Sequence, residues 1–168
     1  MQSIDRLNEV GERACGAYFG RLLVSLQFLW LGVLLVIPPG GLELRSPIWA
    51  FMATTAATVA VVLAVWAYLS LGRSFRVRPE PLANAAFVSS GLYRWIRHPM
   101  YTAVLAIALS MALHTRSWVG MVTWCALALT LLSKSHYEDA LWRAKEAAAG
   151  EYQRRVGRFL PRFGRVSS

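Results

Sequence analysis

The run from Ile48 to Leu71 carries no charged residue across 24 positions. At 1.5 Å per residue a helix of that length crosses a hydrocarbon core of about 30 Å. Such a segment is a membrane span, and the rest of the chain has to be arranged around it. A second uncharged run, Leu22 to Ile37, stops at Pro38-Pro39-Gly40-Gly41, a sequence that ends a helix and opens a short loop. Extended back over Arg21, whose long stem can snorkel to the interface, it spans as well. Two shorter runs, Met100 to Leu113 and Trp118 to Leu132, are separated only by His114, Thr115, Arg116 and Ser117. Each falls short of the roughly 20 residues a span needs. They read as a helical hairpin whose outer ends, near Trp95 and Tyr137, continue to the interface, with a re-entrant hairpin as the alternative.

The expected fold is therefore all-α. It is a polytopic membrane protein of one domain, residues 1–168, with about four transmembrane helices at about 17–37, 48–71, 97–113 and 118–136, the last two a helical hairpin. A C-terminal helical segment follows outside the membrane. The distribution of Lys and Arg orients these helices, because cytoplasmic flanks carry an excess of them. Of the 18 basic residues, all but three fall in the N-terminal stretch, the loop after the second helix (Arg73, Arg76, Arg78, Arg94, Arg97) or the tail from Lys134 to Arg165. Arg45 and Arg116 lie on the opposite side, and Arg21 within the first helix. Four crossings with both termini in the cytoplasm fit this split. A high Ala and Arg content points to a bacterial source and so to the inner membrane.

The same count accounts for a formal charge of +9 without nucleic acid as a partner. Asp5, Glu9 and Glu12 precede the first apolar run and no small-residue cleavage pattern follows it, so no cleavable signal peptide is expected. Trp30, Trp49, Trp66, Tyr68, Trp95 and Trp118 fall mostly near run ends, as interfacial belts do. Cys15 and Cys125 lack metal-type spacing and are expected as buried free thiols, and no metal is expected. There is neither a P-loop nor a Gly-x-Gly-x-x-Gly, and nothing in the sequence sets the oligomeric state.

Chemistry is expected in the two blocks outside the apolar runs, residues 72–98 and 133–168. The first ends in Gly91-Leu92-Tyr93-Arg94-Trp95-Ile96-Arg97-His98-Pro99-Met100-Tyr101. Pro99 suits the first turn of the third helix, which places His98 at or near its N-cap. Arg94 and Arg97 lie one turn before a helix N-terminus, a place that binds carboxylate or phosphate. Equally, these arginines could contact only lipid headgroups and His98 could only cap the helix. Folding the hairpin about residues 114–117 brings His98 level with roughly Ser133 and Arg94 level with roughly Tyr137 and Glu138. The blocks must then meet, joining the acidic pair Glu138-Asp139 to arginines, a histidine and Tyr93, Tyr101 and Tyr137. Opposed charges of this kind suit a zwitterionic ligand; a structural ion pair between loop and tail is the alternative. Beyond Asp139 the tail can continue as a helix with Tyr137, Leu141, Ala144 and Ala148 on one face, lying over the loop as a lid. Arg158 to Phe163 then mixes basic and aromatic residues as an interfacial segment does.

At these residues the chain resembles the integral-membrane methyltransferases of the isoprenylcysteine carboxyl methyltransferase and phospholipid methyltransferase group. The segment Gly91 to Tyr101 is similar to the family's Gly-x-Tyr-x-x-x-Arg-His-Pro-x-Tyr signature, and Glu138-Asp139-x-Leu141, Tyr152 and Val156-Gly157-Arg158-Phe159-Leu160-Pro161 to its acidic pair and tail. Asp139 stands where a second Glu is usual, Ala147 or a shifted Gly150 replaces a Phe-Gly pair, and one tail Tyr is missing. The resemblance implies S-adenosylmethionine as cofactor and an amphiphilic, lipid-like acceptor arriving from the bilayer. It makes Tyr93, Arg97, His98, Pro99, Tyr101, Glu138 and Asp139 the candidate cofactor site, with Arg97 and Glu138 as catalytic candidates. The cofactor carboxylate would suit Arg97 or the helix N-terminus, its ammonium Glu138 or Asp139, and its sulfonium an aromatic face. The acceptor chemistry expected is isoprenylcysteine carboxyl methyltransferase-like, with phospholipid amine methylation as the alternative. Outside that class stand a non-catalytic membrane scaffold, a small carrier, and a reductase of the related membrane superfamily. Mid-membrane polar residues are sparse, only Thr54, Thr55, Thr58, Ser25 and Gln27, so a transport path is poorly supported.

Overall fold

The computed structural model describes residues 2–38, 47–71 and 89–162, with side chains from Cys15 onward. Expectations placed on Pro39 to Gly41, Arg45, Arg73, Arg76, Arg78, Phe163 and Arg165 lie outside the described residues. Five α-helices follow in order: α1 (Gln2–Val36), α2 (Pro47–Leu71), α3 (Pro99–Thr115), α4 (Trp118–Lys145) and α5 (Ala147–Arg155). A 3-10 turn, Gly91–Arg94, leads into α3. Among the described residues, three stretches are long and apolar enough to cross a membrane: Cys15–Val36, Pro47–Ser70 and Trp118–Lys145.

The first membrane span, expected at about 17–37, is Cys15–Val36, and its helix continues back to Gln2 through the charged residues outside the apolar stretch. One boundary differs from expectation. The third helix runs over Pro99–Thr115, and its 17 residues, about 26 Å of helix, sit just below a full span. Residues 97 and 98 are left outside it, since Pro99 can only open a helix. The hairpin itself is present. Arg116, in the left-handed conformation at φ 49°, closes α3, and the Ser117 hydroxyl caps α4 by accepting from the Val119 N–H at 3.2 Å.

Packing follows residue size more than polarity. Ala53, Ala60 and Ala67, seven residues apart, are buried on α2, and Ala103, Ala108 and Ala112 on α3, so the two backbones lie close along their length. Phe51, Val61, Val62, Val65 and Leu69 on the rest of α2 face outward, where lipid meets them. α1 packs along α4, and α3 lies against α4 with a lighter contact to α1. The core forms where these three helices meet, from Leu34, Ala108, Ala112, Leu127 and Leu131. Ala60→Leu is expected to push α2 off α3 at a fully buried position, destabilising the protein by about 1–3 kcal/mol. A lowered thermal unfolding midpoint in detergent checks it.

Trp66, Tyr68, Trp95 and Trp118 are exposed as an interfacial belt requires. Trp30 departs from that pattern: its indole N–H donates to Thr130 Oγ1 at 3.1 Å and its ring packs on the core. The two cysteines are free, but both are exposed and not buried. Their helices turn them toward the surroundings, where a small apolar thiol meets no penalty in lipid.

Candidate functional site

The site forms where the start of α3, the outer part of α4 and the tail converge. Gly91, at φ 59°, packs closely against the last turn of α2; a Cβ there would lie 2.7 Å from Ser70 Oγ. The 3-10 turn then delivers Arg97 and His98. His98 is the N-cap of α3, yet its side chain makes no capping bond. The ring instead places Nε2 3.0 Å from Asp139 Oδ1 and Nδ1 3.6 Å from Glu138 Oε2. A carboxylate only accepts, so the Nε2 side of the ring carries the hydrogen.

Asp139 gathers three partners: His98 at Oδ1, and at Oδ2 both Arg97 Nη1 (2.7 Å) and Arg158 Nη2 (3.2 Å). Glu138 accepts from Tyr101 OH at 2.7 Å through the same Oε2 that faces His98, and its side chain is 24% exposed. Tyr101 stacks on His98 with ring centroids 5.2 Å apart and planes 9° off parallel, and Phe159 meets His98 edge-on. Burial draws the Arg97 guanidinium below its ordinary pKa, against the pull of Asp139, and its Nε is buried with no partner among the described residues.

The sequence expected His98 level with Ser133 and Arg94 level with Glu138. His98 reaches Asp139 instead, about a turn and a half farther along α4. Helical side chains lean toward their own N-terminus, which on α4 is the hairpin turn, so a residue farther out reaches back to the level of His98. Arg94 is exposed and lies over the Trp95 ring at 5.0 Å, away from the acidic pair. Tyr93 is buried, and its carbonyl accepts from Tyr152 OH at 2.6 Å. Burial above all raises the pKa of both phenols well past their usual range, so both stay protonated.

The tail also differs from a single continued helix. α4 ends at Lys145, and Ala148 belongs to α5, which is tied back by Gln153 Nε2 donating to the Asp139 carbonyl at 2.8 Å. Residues 157–159 are not a free interfacial strip. Gly157 forms a parallel bridge with Ile96, the Arg97 and His98 N–H groups donate to the Gly157 and Arg158 carbonyls at 2.9 and 3.0 Å, and Thr102 Oγ1 donates to the Phe159 carbonyl at 2.8 Å. A Cβ on Gly157 would overlap the Leu160 carbonyl oxygen. Gly157→Ala is therefore expected to lift the tail from the bridge, and trypsin should cleave at Arg158 and Arg162 faster than in the parent protein.

Three participants escaped the sequence reading. Arg158 was legible only as one basic residue of the tail. Lys134, counted among the tail's basic residues, is instead fully buried, donates to Gln27 Oε1 of α1 at 2.8 Å and lies over the Tyr101 ring at 5.0 Å. Gln27 is itself buried. The available signal was a lysine four residues before the acidic pair and directly after an apolar run, with one amide inside the first span.

Apolar helices of spanning length around a buried cluster of arginines, carboxylates and histidine define an integral membrane protein with a polar site at one end of its helices. The phospholipid methyltransferase family model matches residues 48–143, more than half of the chain and a stretch that includes Tyr93, Arg97, His98, Pro99, Tyr101, Glu138 and Asp139. The chain belongs to that family and is a membrane methyltransferase. No curated protein matches it.

Proposed function

We propose that this protein transfers a methyl group from S-adenosylmethionine to an amphiphilic acceptor at the membrane. The observation that carries the reading is the buried, unpartnered Nε of Arg97 in the same ion cluster as the partly exposed carboxylate of Glu138. An amino acid's carboxylate and ammonium are the two groups such a donor and acceptor hold. Arg97 and Glu138 would touch the cofactor. Asp139, with both oxygens engaged, would position Arg97, and His98, Pro99 and Tyr101 would hold the helix start against the acidic pair. Tyr93, anchored through its carbonyl by Tyr152, would complete the wall. When bound, the cofactor supplies an electrophilic methyl on a sulfonium. The chain's own part is to orient the reactants and exclude water, which the docked tail and the buried aromatic rings favour.

Four crossings, with both termini in the cytoplasm of a bacterial inner membrane and residues 1–168 acting as one domain, complete the proposal. The basic residues flanking the helix ends support that orientation. The resemblance of the Gly91–Tyr101 segment favours an isoprenylcysteine carboxyl methyltransferase-like acceptor; the family match equally favours a phospholipid amine.

Calorimetric titration of the purified protein with S-adenosylmethionine and S-adenosylhomocysteine, with NADPH as control ligand, tests the reading. Micromolar binding of the first two without NADPH is expected. NADPH binding alone would identify a reductase instead, and folded protein that binds none of the three would be a scaffold.

A further inference from the structure

We infer that Lys134 sets acceptor specificity, selecting an amphiphile whose methyl-accepting group is an anion, a carboxylate or thiolate, over one that presents an amine. The inference rests on the methyltransferase reading above and deepens it.

Lys134 lies inside the spanning stretch Trp118–Lys145, where an ammonium is costly and marks function by default. It is fully buried between α1 and α3, held from one side by the amide oxygen of Gln27 and from the other by the face of Tyr101. The Tyr101 hydroxyl in turn donates to Glu138, so the ammonium lies on the ring that holds the acidic pair, from a position one helical turn nearer the hairpin on α4. Arg97 and Arg158 face the same pair from the loop and tail. Three fixed cations thus surround two carboxylates. A sulfonium cofactor with its own carboxylate and ammonium adds a further net positive charge. In so cationic and dry a site, a protonated amine pays desolvation and meets repulsion, while an anion gains attraction.

The chemistry agrees with this charge balance. A carboxylate oxygen or thiolate sulfur donates a lone pair to form the new bond to the methyl carbon. The carbon–sulfur bond of the sulfonium breaks, its electron pair stays on the sulfur, and a neutral thioether leaves. No proton moves. A protonated amine would first have to surrender a proton beside Lys134.

Matched twelve-carbon acceptors test this: dodecanoate, dodecanethiol and dodecylamine, each with labelled S-adenosylmethionine and the detergent-purified full chain. The parent protein is expected to methylate dodecanoate or dodecanethiol and to leave dodecylamine unlabelled. Lys134→Met should lower methylation of the anionic acceptor by roughly tenfold to a hundredfold, the loss of one charged contact in a dry site. Calorimetric affinity for S-adenosylmethionine should stay within about twofold, and Lys134→Arg should restore most of the rate. Preferential labelling of dodecylamine, or of phosphatidylethanolamine vesicles, by the parent protein would overturn the inference while leaving the methyltransferase reading intact, and it needs no variant to fold. Equal rates in Lys134→Met and the parent would also overturn it. Absence of any S-adenosylmethionine binding by folded protein would defeat the parent reading and this inference together.

Discussion

Replacing Asp139 by alanine is expected to destabilise the protein by about 3–5 kcal/mol, the usual effect of removing one partner from a buried charge cluster. Its carboxylate joins the side chains of Arg97 from the loop before α3, His98 at the helix start and Arg158 from the tail. The side chains of Asp139 and Arg97 are 8% and 12% exposed, so little water replaces the lost carboxylate. Alanine leaves two guanidinium groups facing each other across an empty position, and their repulsion should free the tail. Thermal unfolding in detergent should show a clear fall in the midpoint, and trypsin should gain access at Arg158. Asp139→Asn separates the charge from the shape: it keeps the volume and one acceptor oxygen for the two arginines while its amide nitrogen replaces the acceptor facing His98, so it should lose less stability than alanine. An unchanged midpoint in Asp139→Ala would mean that the tail is held by its backbone bridge at Ile96–His98 and by the hydrogen bonds of Thr102, Tyr152 and Gln153, without the ion cluster.

Arg97→Lys is expected to lower affinity for S-adenosylmethionine by roughly tenfold to a hundredfold, because lysine keeps the charge and removes the fork. The Nη1 contact to Asp139 can be imitated by an ammonium at 2.7 Å; the buried Nε–H, turned toward no described residue, cannot. Since Asp139 still holds His98 and Arg158, the fold should survive, and thermal unfolding should move far less than in Asp139→Ala. Isothermal titration with S-adenosylhomocysteine gives the comparison without turnover. Equal affinity in Arg97→Lys and the parent would exclude Arg97 Nε as the carboxylate anchor, and Glu138→Ala would then be the variant that decides whether the acidic pair binds the ligand at all.

Much of this architecture was legible in advance because a bilayer imposes simple rules. A backbone without water must satisfy its own hydrogen bonds, so an uncharged run of spanning length becomes a helix whatever its neighbours do. Two shorter apolar runs joined by four residues read as a hairpin, and a hairpin brings the start of the third helix and the acidic block to the same end of the molecule. The level at which they meet was not legible, since it depends on how the side chains lean and on the tail returning to pair with residues 96–98.

The sequence by itself determined the apolar helices, the break at Pro99, the motif residues that converge and the basic flanks. Only the tertiary structure decided which faces turn inward. On helices apolar all round no polar stripe marks the buried side, and small residues such as Ala53, Ala60 and Ala67 decide it through close approach. For the same reason the pairing of Lys134 with Gln27, 107 positions apart, could not be read locally. It exists because α1 packs along α4 at one particular rotation, and rotation about a helix axis is set by packing against neighbours.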